Sequence, residues 1–110
     1  MTKLRALLRG DGFLGADREA VVELSSDTAL LARLQEPLWH EGKPITHVVV
    51  QVRHESDGFC DLKLGRKYLR NVTAIPAERA ASGNPLDLSW WRGGPAAITD
   101  MAILRRDKIN

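Results

Sequence analysis

Residues 45–54, Ile-Thr-His-Val-Val-Val-Gln-Val-Arg-His, constrain the fold more than any other part of this chain. Val48, Val50 and Val52 fall on one face, while His47, Gln51 and Arg53 fall on the other with Val49 among them. A two-residue period rich in β-branched side chains is that of a strand with one face in a core. Glu55-Ser56-Asp57-Gly58 follows, and Asp-Gly favours a tight turn because its residues tolerate positive φ. Residues 59–64 then alternate Cys60, Leu62 and Leu64 with Phe59, Asp61 and Lys63. The two stretches predict a hairpin.

Other segments read the same way. Residues 19–24 place Ala20, Val22 and Leu24 on one face of a short strand. Residues 68–75 predict a strand with an irregularity near Asn71, and residues 86–91 set Leu86, Leu88 and Trp90 against Asp87, Ser89 and Trp91. Residues 28–35 carry Leu30, Leu31 and Leu34 at helical spacing. With Ser26 or Asp27 as cap and Pro37 as terminator, they predict a short helix. One helical turn is expected at 76–81. Leu4, Leu7 and Leu8 suit a helix, and Leu4, Ala6 and Leu8 suit a strand equally well. Residues 95–106 read as a strand with Ile98, Ala102 and Leu104 inward, or as a helix opening on Pro95.

Several short strands separated by turn residues predict a mainly β domain: a small barrel or sandwich of curved antiparallel strands with one or two short helices. The alternative is α+β. The expected core is Ala20, Val22, Leu24, Leu30, Leu34, Val48, Val50, Val52, Cys60, Leu62, Leu64, Val72, Leu88, Trp90 and Ile98. A length of 110 residues is one domain's worth, so residues 1–110 are expected to form a single unit. A composition of 44% hydrophobic and 27% charged residues is that of a folded chain rather than a disordered one.

Composition also narrows the setting. A lone cysteine, Cys60, cannot form an internal bridge, so nothing in the sequence suggests an oxidising compartment. Uninterrupted apolar runs reach only four residues, at 29–32 and 101–104, so neither a signal peptide nor a membrane span is expected. The expectation is a soluble cytoplasmic protein without a membrane partner. Sixteen basic against fourteen acidic residues leave a net charge of only +2, too little to argue for nucleic acid without clustering.

Motifs that carry chemistry are sparse. His40, His47 and His54 recur every seven residues, but on a strand His47 and His54 point to opposite faces, so no shared metal site is expected. Cys60, with His54 across the turn, has the parts of a nucleophile and base, yet it sits on the apolar face where a thiol is inert. Gly10-Asp11-Gly12 with Gly15 is a loose glycine loop lacking the strand–loop–helix context of a phosphate cradle. No catalytic residue, metal or cofactor is assigned.

Two loops have the composition of an interface. Trp90-Trp91-Arg92-Gly93-Gly94-Pro95 presents Trp91 and Arg92, and Trp39-His40 precedes Glu41-Gly42-Lys43-Pro44. Tryptophan and arginine dominate binding hot spots, so Trp91, Arg92, Trp39 and His40 are the candidate partner-binding residues. The function expected is a non-catalytic module that binds another protein or itself, such as an inhibitor, immunity, accessory or oligomeric structural subunit. One alternative is a nucleic-acid-binding β-domain using Lys63, Arg66, Lys67, Tyr68 and Arg70, although Tyr68 is its only stacking residue. Another is a small enzyme whose site, drawing on His47, His54 and Asp57, is built at a dimer interface.

Overall fold

The computed structural model describes residues 2–53, 67–89 and 94–108. Six strands, β1 (Thr2–Leu8), β2 (Arg18–Ser25), β3 (Ala29–His40), β4 (Lys43–Val52), β5 (Lys67–Ile75) and β6 (Ala96–Lys108), form a closed barrel in sequence order. Every neighbouring pair is antiparallel, and β1 pairs with β6 to close the ring. One short helix, α1 (Ala77–Ala80), follows β5 where one helical turn was expected. A 3-10 turn, Gly12–Leu14, lies between β1 and β2.

Alternation sends one residue of every pair into the lumen. Ala6, Leu8, Ala20, Val22, Leu30, Ala32, Leu34, Val48, Val50, Val72, Ala74, Met101 and Ile103 form a single buried cluster there. Small and large side chains share this narrow interior, so it is a packed core and not a channel. Apolar side chains point inward, while Lys3, Glu19, Glu23, Arg33 and Arg105 form ion pairs on the outside. A lipid-facing barrel has the reverse arrangement. No helix among the described residues is long and apolar enough to cross a membrane.

The connection from β1 to β2 plugs one opening. Leu14 is fully buried in the core cluster, with Phe13 packed against it. Arg18 Nε donates to the Leu14 carbonyl at 2.9 Å, and the Thr99 hydroxyl lies 2.8 Å from the Arg9 carbonyl and 3.0 Å from Asp11 Oδ2. The glycines serve this path rather than a phosphate. A Cβ on Gly10 would sit 2.4 Å from the Ala16 carbonyl carbon, so the chain passes itself there only without a side chain.

A second, smaller core lies outside the barrel. Ala29, Leu31, Val49 and Ile75 are buried on the outer faces of β3, β4 and β5, with Ala80, Leu86 and Leu88 packed over them. Arg79, itself buried, holds this cover together: its Nη2 donates to the Asp87 carbonyl and its Nη1 to Ser82 Oγ at 3.4 Å.

Several expectations change. Within residues 28–35, where a helix is expected, residues 29–35 are strand. Leu30, Ala32 and Leu34 face the lumen while Ala29 and Leu31 face the cover, so both faces are apolar and the period-two signal is lost. Ser26 does cap, but in the β2–β3 turn, where its Oγ accepts from Ala29 N at 3.1 Å. Leu24 is 48% exposed because the ladder slips between Val22 and Leu24, making Glu23 an extra residue that reverses the parity after it. On β6 the inward residues are Thr99, Met101 and Ile103, whereas Ile98 and Leu104 are exposed; buried Thr99 is tolerated because its hydroxyl is bonded. Near Asn71 the register runs unbroken, and Asn71 stands opposite Gln51.

Residues 86–89 carry no strand, and Leu88 packs in the outer cluster rather than the lumen. Among the described residues β4 pairs with β3 and β5, and the expected hairpin partner at residues 59–64 lies outside the described residues. Cys60, Leu62, Leu64 and Trp90 lie outside the described residues.

The plug and the crossing yield a direct test. Leu14→Ala should cost about 2–5 kcal/mol of stability. Gly10→Ala should be destabilising through its backbone clash, whereas Gly83→Ala, with open space around it, should stay within about 0.5 kcal/mol of wild type. Chemical denaturation of the three variants measures this.

Candidate functional site

The β3–β4 hairpin builds the most prominent surface feature, at the plugged end. Its tip is a two-residue turn with positive φ at both Glu41 (52°) and Gly42 (78°), the geometry that matches strand twist. His40 and Lys43 flank the turn, and Trp39 stands opposite Pro44. Below the tip the ladder jumps from Arg33–His47 to Leu38–Ile45, leaving a bulge that contains Glu36 and Pro37. Leu38 and Ile45 are buried in the core, so the hairpin is anchored at its base.

This anchoring leaves Trp39 71% exposed, the most exposed of the large hydrophobic side chains among the described residues. His40 turns the other way and meets the Phe13 ring edge-on, with centroids 6.4 Å apart and planes at 75°. Its Nε2 lies 3.8 Å from Glu41 Oε1, an ion pair only when the imidazole is protonated. Beside the hairpin is a groove of about 360 Å³. His40, Glu41, Lys43, Pro44 and Ile45 form one wall, and Ala74, Ile75, Pro76, Glu78, Gly94 and Pro95 form the rest.

The groove unites two segments that sequence alone kept apart. Trp91 and Arg92 lie outside the described residues, but the Gly94-Pro95 step that follows them lines the same groove as His40. Of the basic set, only the Arg70 side chain lies within the described residues. Lys63 and Arg66 lie outside the described residues, and Lys67 and Tyr68 pair through their backbones with Ala102 and Met101. Arg70 is buried at 2% exposure, on the lumen face with Val72 and Ala74, and its Nη1 donates to the Leu69 carbonyl at 3.0 Å. A side chain so placed is not available to a phosphate backbone.

A second concavity, of about 340 Å³, lies on the opposite side of α1 and is lined by Glu23, Leu24, Leu31, His47, Ala77, Ala80 and Ala81. The slip in β2 aims Glu23 at two cations: Lys3 bonds its Oε2, and Arg33 Nε donates to its Oε1 at 2.8 Å. Burial pushes the Glu23 carboxyl up, but Lys3 and Arg33 together outweigh it and hold the group below its ordinary value. His47 is pushed down, first by burial and then by the neighbouring Arg33, with Glu23 opposing. Sequence reading missed this cluster because its members come from different strands, and only the register brings Arg33 beside His47.

The groove has two acids, Glu41 and Glu78, with Lys43 and the His40 imidazole on its rim, over an apolar wall that includes Pro44, Ile45, Ala74, Ile75 and Pro95. Comparison with protein-family models, curated proteins and solved structures gives no match.

The two shifted groups set an expected pH dependence. The lowered folded value of His47 means that its contribution is complete above its ordinary value of 6.5 and is lost as pH falls below it. The contribution of Glu23 is complete above its ordinary value of 4.5 and is lost as pH falls through the lowered one. Urea midpoints followed from pH 7.5 to 3.5 should therefore decline in two windows. His47→Gln should flatten the first and Glu23→Gln the second.

Proposed function

We propose that this protein is a non-catalytic interaction module that docks another protein at the plugged end of the barrel. Trp39 is the anchor, His40 and the adjoining groove are the receiving surface, and Trp91 and Arg92 contribute from the segment leading into Gly94. The carrying observation is the Trp39 side chain, 71% exposed on a hairpin whose base is tied into the core. A large aromatic held rigidly in water loses little conformational freedom on binding and gains a large apolar area. The lone cysteine fits a reducing compartment, and a cytoplasmic location belongs to the same proposal.

The mode of contact follows from the backbone. His40 and Lys43 flank the two-residue turn and so form a hydrogen-bonded pair, which makes Trp39 and Pro44 the next, non-hydrogen-bonded pair. The Pro44 nitrogen then points away from β3, along an edge that β5 does not reach, since β5 begins pairing at His47. Having no N–H to give, it blocks strand addition there. Recognition is by side chains in the groove rather than by extension of the sheet.

Trp39→Ala should leave stability within about 0.5 kcal/mol of wild type, as expected of an exposed site. It should weaken the partner by roughly thirtyfold or more, the loss of a hot-spot residue. Affinity capture with mass spectrometry, run with wild type and variant as baits beside sedimentation of each alone, tests this. A partner, or self-association, that depends on Trp39 is expected. Identical capture and sedimentation profiles for both baits would overturn the reading.

A further inference from the structure

The exterior of the barrel divides into three parts, and two of them are accounted for. Over β3, β4 and β5 the cover buries Ala29, Leu31, Val49 and Ile75. Across β1, β2 and β3 the outward side chains Lys3, Glu23 and Arg33 are ion-paired. The third part, the outer face of β6 and its two neighbours, has no cover among the described residues. Ile98 is 53% exposed, Leu69 43% and Leu104 38%, so three of the five large hydrophobic side chains exposed among the described residues lie there. Scattered singly they would need no explanation, but the ladder joins them.

Leu69 stands opposite Asp100 and Asn71 opposite Ile98, which makes Leu69 and Ile98 diagonal neighbours on the outer face. Met101 and Ile103 point into the lumen, so Ala102 between them points out, opposite Leu7 of β1. The β1–β6 register shifts between Arg5 and Ala6 and skips Leu104, and this bulge turns Leu104 outward. An aliphatic stripe thus follows β6 from Ile98 through Ala102 to Leu104, flanked by Leu69 and Leu7 and broken once, by Asp100.

Two opposite charges sit at that break. The Arg9 N–H donates to the Asp100 carbonyl at 3.0 Å, so the two residues are side by side. Both line a shallow concavity of about 70 Å³ with Leu7, Asp17 and Ala102, where Asp17 accepts the Gly10 N–H at 2.9 Å. Neither the Arg9 guanidinium nor the Asp100 carboxylate has a hydrogen bond or ion pair among the described residues. In an isologous contact whatever one copy presents its partner presents too, so a face of one sign repels itself. A stripe carrying one free cation and one free anion is complementary to its own copy.

We propose that this stripe is a self-association surface. β6 of one copy lies over β6 of a second about a two-fold axis, the aliphatic side chains meet, and each Arg9 reaches the Asp100 of the other copy. The contact is remote from the docking groove and independent of it. A stripe this narrow covers less than a permanent dimer requires, so the dimer forms reversibly and at high concentration.

Sedimentation equilibrium of the whole chain from about 10 µM to about 1 mM suits a contact of this size. The average mass should climb from one chain toward two. Ile98→Lys, at a site already in water, should weaken the dimer by about tenfold or more. Leu69→Lys is the second such variant if circular dichroism shows the first to be unfolded. Arg9→Glu and Asp100→Lys should each weaken the dimer, and the two together should restore it, because the reversed pair is complementary again. Trp39→Ala should leave it unchanged, which separates this surface from the hairpin. The proposal is overturned by a single-chain mass across the whole range, by a dimer that folded Ile98→Lys and Leu69→Lys leave intact, by a charge-reversed double variant no tighter than its singles, or by a dimer lost with Trp39→Ala.

Discussion

Closure of the barrel by the β1–β6 ladder is the constraint on which everything else in this structure rests. Once Thr2–Leu8 pairs with Ala96–Lys108, every strand has two neighbours. The inner face of each strand is then committed to one dry interior. The alanines at positions 6, 20, 32 and 74 make room for Leu8, Leu34, Val48 and Met101. The plug is equally a product of closure, because a ring of strands leaves an open mouth. Leu14 fills that mouth, held by the hydrogen bond from Arg18 to its carbonyl.

The sequence displays part of this plainly and hides the rest for identifiable reasons. The valines of β4 announce the strand, because one face is in the lumen and most of the other is polar. β3 conceals itself, because the cover over Ala29 and Leu31 makes adjacent residues apolar and imitates a helix. Leu24 and Ile98 mislead differently. Parity assigns each a face correctly only if the ladder is regular and only if the apolar residues are the inward ones. A one-residue slip defeats the first assumption, and a hydrogen-bonded threonine in the core defeats the second. The candidate site follows the same rule. Trp39 and His40 stand out by composition, but their sharing of a groove with Gly94 and Pro95 is a long-range fact that no local pattern carries.

Both concavities arise where the cover departs from the barrel wall. The segment from Pro76 onward leaves β5, forms α1 and folds over the outer faces of Val49 and Leu31, with buried Arg79 fastening its return through Ser82 and Asp87. Pro76 and Glu78 face the groove beside the hairpin, whereas Ala77, Ala80 and Ala81 face the cavity with His47. A single turn of helix therefore separates the two surfaces, one rimmed by charges of both signs and one lined by Glu23 and His47 beside Leu24 and Leu31.

The ring also dictates an order of assembly. β1 through β5 can pair as their chain becomes available, each strand meeting a partner close in sequence, but the seam between β1 and β6 must wait for the last strand. Bringing those two together closes the longest loop in the molecule, and such closure is entropically late and slow. During synthesis the early product is thus a curled sheet with two raw margins. The interval before they meet is when this chain is most exposed to pairing with the wrong neighbour.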